Sequence, residues 1–259
     1  MSGASFRLDG AVVEFGAVSA LAGVDAEISS GEAVALVGPS GAGKTTLLHL
    51  LNGTVRPTHG RVTANGHRLD QLGRRALRDL RASLGFVHQD PSLIPNLRVI
   101  QNVIAGRFGR MGFLAALRAI VAPSRSTQRD VHALLDRVGI AHKLFERTDR
   151  LSGGQQQRVA VARALFQAPA ALLADEPVSS VDPARARDTV ELLTGVSRED
   201  GLTLVMSLHN LELAREYFPR LIGLRAGRVV FDRASDDVPE DAFRALYELT
   251  SEELLGNGS

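Results

Sequence analysis

Cysteine is absent from the 259 residues, so no disulfide forms and no thiolate can hold a metal, a composition that fits a cytosolic chain. Lysine is almost absent as well. Of the 30 basic side chains other than histidine, only Lys44 and Lys143 are lysine, and the remaining 28 are arginine. No uninterrupted apolar run approaches the ~20 residues that span a bilayer. The nearest, from Phe113 to Ala122, is broken by Arg118. The segment Met1 to Arg7 lacks the apolar core of a signal peptide, and the expectation is a chain soluble by itself. A formal net charge of +1 gives no bulk basic field, so nucleic acid is not an expected partner. With 44% hydrophobic residues the chain can bury a full core, as one large domain or one domain with a subdomain.

One of the two lysines stands in Gly38-Pro39-Ser40-Gly41-Ala42-Gly43-Lys44-Thr45, which fits the phosphate-loop pattern G-x-x-x-x-G-K-[ST]. The apolar run Ala33 to Val37 precedes it as a buried strand, and Thr46 to Leu51 follows with helical spacing. In such a loop, glycines let backbone N–H groups turn onto phosphate oxygens, and the helix N-terminus adds partial positive charge. Lys44 would reach the β- and γ-phosphates, and the Thr45 hydroxyl would ligate Mg²⁺. A compact ammonium fits between phosphates where a planar guanidinium does not.

The N-terminal part reads as short strands, Val12 to Phe15 and Ala26 to Ile28, with turns marked by glycine. Asn52-Gly53 stops the loop helix. Arg61 to Ala64 is a strand before the turn Asn65-Gly66, and Leu84 to Val87 is a buried strand leading to Gln89. From about Asp90 to Arg150 the spacing becomes helical: Val99, Val103 and Ile104 share one face, and Val131, Leu134, Leu135 and Val138 another. Beyond it, the strands Ala171 to Ala174 and Thr203 to Ser207 flank a helix from Pro183, and Arg220 to Leu224 pairs with Arg228 to Phe231 as a hairpin. Strand–helix alternation implies a parallel sheet covered on both faces. The expected division is an α/β core at 1–89 and 151–232, an inserted helical subdomain at 90–150, and an acidic C-terminal helix and tail at 233–259.

The strand Ala171 to Ala174 ends in Asp175-Glu176. Asp175, at the C-terminal edge where ligands of parallel sheets bind, can hold Mg²⁺; Glu176 can accept a proton from an attacking water. The third motif is Leu151-Ser152-Gly153-Gly154-Gln155, which opens a helix-patterned run. Its serine and glycines at a helix N-terminus make a second anion-binding end. One chain already has a phosphate loop for the near side of a nucleotide. On the family resemblance that follows, the second end is the far side of another copy's ATP, in a head-to-tail dimer holding two nucleotides.

In order and spacing these motifs resemble the nucleotide-binding domain of ABC ATPases over nearly the whole chain. The resemblance implies a P-loop NTPase core with a parallel sheet, an N-terminal antiparallel β-subdomain and the inserted helical subdomain. It implies ATP and Mg²⁺ as cofactors, with Phe15, Gly38, Pro39, Ser40, Gly41, Ala42, Gly43, Lys44, Thr45, Thr46 and Gln89 on the nucleotide. Ser152, Gly153, Gly154 and Gln155 would act in trans, and Ser180, Val181 and Asp182 would form the loop joining the two sites. Thr45, Gln89 and Asp175 would serve the metal. Glu176, His209 and Lys44 would be catalytic, His209 touching the γ-phosphate.

Outside the shared motifs, Asn102 to Arg110, the stretch from Gly112 through Arg129, and Ile222 to Asp232 are most similar to the ATPase subunit of bacterial phosphonate importers. That implies uptake of phosphonate or another phosphorus oxyanion, a separate membrane permease, a periplasmic-type binding protein, and a place on the cytoplasmic face of the membrane. ABC exporters, lipoprotein-release ATPases and non-transport ABC ATPases share the catalytic motifs and are the alternatives. The sequence departs from the importer pattern at His88, where an aromatic is usual, at Asp90, where glutamine is common, and at Val181, where leucine is usual.

Overall fold

A computed structural model of the chain describes residues 3–178 and 183–247. The antiparallel part begins with β1 (Phe6–Phe15) and β2 (Val18–Ile28), joined across Gly16. With β4 (His59–Ala64) and β5 (His67–Arg68) they form a four-stranded sheet in the order β2-β1-β4-β5. The turn between β4 and β5 is Asn65-Gly66, both residues with positive φ, the combination that two-residue hairpins favour.

The second sheet carries the chemistry. Its strands are β3 (Ala33–Val37), β6 (Leu84–Val87), β7 (Ala171–Asp175), β8 (Thr203–Leu208), β9 (Arg220–Arg225) and β10 (Arg228–Ala234). The order is β10-β9-β3-β8-β7-β6, parallel throughout except for the β9–β10 hairpin. Successive residues of each central strand bury into opposite layers. Ala35, Val37, Leu172, Ala174, Leu204 and Met206 join one apolar cluster, while Val34, Leu36, Ala171, Leu173 and Val205 join the other. A strand buried on both faces reads as a continuous apolar run, which is why these strands stand out in the sequence.

The first layer is built by α3 (Val99–Ala105), α5 (Arg125–Arg137), α6 (Gly153–Phe166), α7 (Pro183–Asp200), α8 (Leu211–Tyr217) and α9 (Glu240–Tyr247). The predicted faces Val99, Val103, Ile104 and Val131, Leu135, Val138 are buried in this same cluster, with Leu134 partly buried against it. The other layer holds α1 (Lys44–Leu51) and the inner face of the antiparallel sheet. Two further helices lie at the surface with no buried residue: α2 (Arg74–Ala82) and α4 (Phe113–Val121). The apolar run at Phe113 is thus a nine-residue surface helix, and among the described residues no helix is long and apolar enough to cross a membrane.

Register aligns the strand ends. Val37 pairs with Leu208, Asp175 with Ser207, and Val87 with Ala174. The segments leaving β3, β6, β7 and β8 therefore emerge together at one sheet edge, and they carry Gly38, Gln89, Glu176 and His209.

Candidate active site

The loop from Gly38 to Gly43 bends through backbone that L-residues with side chains rarely adopt. Gly38 has φ 149° and Gly43 φ 104°. A Cβ on Gly38 would lie 2.0 Å from the Leu224 carbonyl oxygen, and one on Gly43 2.6 Å from that of Ala20. Conformation and space both demand glycine there. The loop closes on α1, whose first residue is Lys44.

Lys44 is 4% exposed. Its Nζ donates to the carbonyls of Gly38 at 2.8 Å and Pro39 at 3.0 Å, and stands 3.4 Å from Glu176 Oε1. Burial pushes its ammonium below the ordinary lysine value, while the Glu176 and Asp175 carboxylates pull the other way. Beside it, Thr45 Oγ1 donates to Asp175 Oδ1 at 3.1 Å. Glu176 follows directly, with φ 44°, a conformation a branchless acidic side chain reaches only at a cost. Its amide donates to Ser207 Oγ at 2.8 Å, and its Oε1 lies 2.6 Å from His209 Nε2. With the proton on Nε2, His209 is the donor. Lys44 and His209, from two separate segments, thus meet on the Glu176 carboxylate, while Ser207 holds the Glu176 backbone. A carboxylate held between an ammonium and an imidazole, at the end of a phosphate loop, can take a proton from a water aimed at a phosphoryl group.

The remaining sequence-predicted residues lie around this cluster. Phe15, at the end of β1, is 55% exposed, so its ring is not a core side chain. Gln89 follows β6 and is exposed. Ser152 to Gln155 stand apart, at the N-terminus of α6. There Ser152 Oγ accepts from the Gln155 amide at 3.4 Å, and Gln155 Oε1 accepts from the Ser152 amide at 3.1 Å. This reciprocal cap fixes the first turn. Ser180, Val181 and Asp182 lie outside the described residues.

Two participants went unassigned in the sequence. Ser207 was visible next to Leu208-His209, but its role depends on the β7–β8 register. Tyr247, the last residue of α9, reaches the phosphate loop. Burial and the Glu176 charge raise its phenol above the usual tyrosine value, and a backbone hydrogen bond from Gly38 opposes them. No local pattern marks it. It arrives through α9, which is seated by Leu246 in the core, by Phe243 edge-on to Phe231 at 5.5 Å, and by Arg215 over the Phe243 ring at 4.3 Å.

The sequence profile of the ABC transporter family matches residues 21–179. The chain belongs to that family. It is an ABC-type transport ATPase with ATP as its nucleotide, as the motifs led one to expect, and its fold is that of the family's cassette. The Phosphonates import ATP-binding protein PhnC of Pseudomonas putida is 46% identical over 95% of this chain and 91% of its own length. A protein of the same printed name, PhnC 2 of Oceanobacillus iheyensis, is 40% identical over 93% of this chain and 94% of its own. Among solved structures, the dimeric ATP-binding cassette MJ0796 bound to ADP and Pi superposes with a TM-score of 0.75 at 30% identity, covering 89% of this chain and 98% of that one. CbiO1 of Clostridium perfringens, part of an ABC transporter complex, gives 0.78 at 27% identity, covering 97% and 92%.

Proposed function

We propose that this ABC ATPase is the energy-coupling subunit of an importer for phosphonate or a related phosphorus oxyanion, working on the cytoplasmic face of the cell membrane. The observation that carries the cargo is the 40–46% identity, over nine-tenths or more of both chains, to proteins named for phosphonate import. The membrane permease would dock at the groove between the α/β core and the helical segment 90–150. That groove, about 370 Å³, is lined by Phe86, His88, Gly106 and Arg163 beside Gln89. A periplasmic-type binding protein would deliver the cargo, which never touches this chain.

In this reading the backbone amides of Gly38 to Gly43, with Thr46, cradle the phosphates, and Lys44 leaves its carbonyl partners to meet the β- and γ-phosphates. Phe15 offers its ring to adenine. Glu176 takes the proton of the attacking water, and His209 orients that water and contacts the γ-phosphate. The residues fit Mg²⁺, because Thr45 Oγ1 and Asp175 Oδ1 already meet at 3.1 Å and are hard oxygen donors, with the Gln89 amide oxygen as a third. When bound, that ion neutralises charge on the phosphate oxygens. A second copy, docked head to tail, would supply Ser152, Gly153, Gly154 and Gln155, and Ser180, Val181 and Asp182 would link the two sites. Dimer closure on ATP and opening after hydrolysis then form the switch that drives the permease.

The test is a pull-down of Glu176→Gln from native membranes with ATP, followed by mass spectrometry. Recovery of a permease, and phosphonate uptake lost on its deletion, supports the reading. Recovery of soluble partners alone refutes it and leaves a non-transport ABC ATPase.

A further inference from the structure

The 39 residues from Pro91 to Arg129 contain no aspartate or glutamate but six arginines: Arg98, Arg107, Arg110, Arg118, Arg125 and Arg129. At the chain's average content, a stretch of that length would hold roughly four carboxylates. The middle of this stretch is α4, and α4 is exposed on its apolar side. Phe113 is 81% exposed, Leu114 78% and Val121 73%, and Leu117 is exposed beside them. At 3.6 residues per turn these four fall in one stripe roughly 100° wide. The opposite side of α4 holds it to the protein: Ala119 packs on the core, and Gln101 Nε2 donates to the Ile120 carbonyl at 3.2 Å.

Apart from Arg98, the N-cap of α3, these arginines divide into two groups. Arg107 and Arg110 are engaged by the protein, donating to the carbonyls of Phe166 and Ala82. Arg118 on α4, with Arg125 and Arg129 on the first turns of α5, are exposed, and among the described residues their guanidinium groups make no ion pair or hydrogen bond. Arg125 and Arg129 line a shallow cleft with Gln128, His132 and the exposed Phe145, and no carboxylate lines it. A short helix with aromatic and leucine side chains on one face and unpaired arginines along its edge has the make-up of an interfacial helix. Anionic headgroups complement this charge, and acyl chains complement the stripe. A partner helix would be better served by the groove at Phe86 and Arg163, which is concave, whereas α4 stands on the surface with no buried residue.

We infer that the face formed by Phe113, Leu114, Leu117 and Val121, with Arg118, Arg125 and Arg129, rests on anionic lipid at the membrane surface. This gives the ATPase a second, protein-independent hold on the bilayer and sets the tilt of the helical segment. It extends the reading of the chain as a membrane-attached subunit, but its test needs no permease. Failure of one therefore does not entail failure of the other.

The experiment is flotation of the purified full chain with phosphatidylcholine vesicles, with or without phosphatidylglycerol. The chain is expected to float with the anionic vesicles, to stay behind with neutral ones, and to be released by high salt. Phe113→Ser/Leu114→Ser/Leu117→Ser should lower partitioning about tenfold or more, as expected on losing three inserted apolar side chains. Arg118→Gln/Arg125→Gln/Arg129→Gln should abolish the preference for anionic lipid. Both should keep the parent's ATP turnover in solution. Equal partitioning onto neutral and anionic vesicles, or anionic binding untouched by both variants, overturns the inference. So does a photo-crosslinker at Leu114 that, in native membranes, captures protein and no lipid.

Discussion

Ser207 donates its hydroxyl to Asp175 Oδ1 at 2.8 Å from the neighbouring strand β8. The Ser207 Oγ in turn accepts from the Glu176 amide at 2.8 Å, so one serine orients both members of the acidic pair. Ser207→Ala leaves a buried carboxylate oxygen and a backbone N–H short of a partner, which costs about 1–3 kcal/mol of stability. Urea unfolding measures that loss. ATP turnover should fall more than ATP affinity, because position is lost and charge is kept; equal stability and turnover would remove Ser207 from the site.

Glu176→Gln keeps the side-chain volume and removes the proposed base. Turnover should drop by ~10²–10⁴ while ATP still binds. Single-turnover assays with labelled ATP check this, and a near-normal rate would displace Glu176 from the proton-accepting role.

Phe15→Ala should weaken ATP binding by an amount set by one stacking contact, ~1–3 kcal/mol by analogy with base–aromatic stacking. Fold stability should barely change, because the ring is already exposed. Calorimetric titration separates the two; unchanged ATP affinity with lost stability would make Phe15 a structural residue.

His88 stacks on Phe86 with ring centroids 4.4 Å apart. The residue keeps an exposed edge, yet desolvation by its neighbours, then the Arg163 and His49 charges, lower its pKa below the ordinary histidine value against the opposing pull of Asp175 and Asp90. In acid the unfolded chain therefore takes up this proton before the folded chain does, and stability declines as pH falls through about 6.5. The decline levels off once pH is below the folded value. His88→Asn should show a shallower loss of urea midpoint between about pH 7 and 5 than the parent; parallel curves would refute the assignment.

Arg220 ties the two sheets together. It makes a bidentate pair with Asp232 of β10 at 2.6 and 2.7 Å, and reaches Glu32 at 2.8 Å and the Glu27 carbonyl of β2 at 2.9 Å. These partners hold its guanidinium well above the usual arginine value. Arg220→Met strands two partly buried carboxylates and should cost about 2–3 kcal/mol, read as a lower urea midpoint. A loss below about 0.5 kcal/mol would place it with ordinary surface pairs.

The central strands and the three motifs were legible because their signals are local. Apolar runs such as Ala33 to Val37 report burial on both faces, and glycine spacing reports the loop. Strand β1 was legible only from Val12, because Gly10 interrupts it, and the structure shows a register shift between Leu8 and Ala11 there. Helix α2 left little trace, since Arg74–Ala82 buries nothing. Helix α4 stood out in the sequence only as the longest apolar run, broken by Arg118, and the structure shows that its stripe faces outward. Ser207 and Tyr247 were out of reach for another reason. The first depends on which strand lies beside β7, and the second on where α9 is seated, and neither is written in a local pattern.

The burial of Lys44 has a consequence for chemical probing. The chain has two lysines, and Lys143 is only half-buried, paired with Glu146 at 3.0 Å. Of the two lysines, reagents that acylate amines should therefore modify Lys143 first, and reach Lys44 only when the loop releases it. The extent of acylation at that single residue, followed by peptide mapping, then becomes a clock for how often the phosphate loop opens.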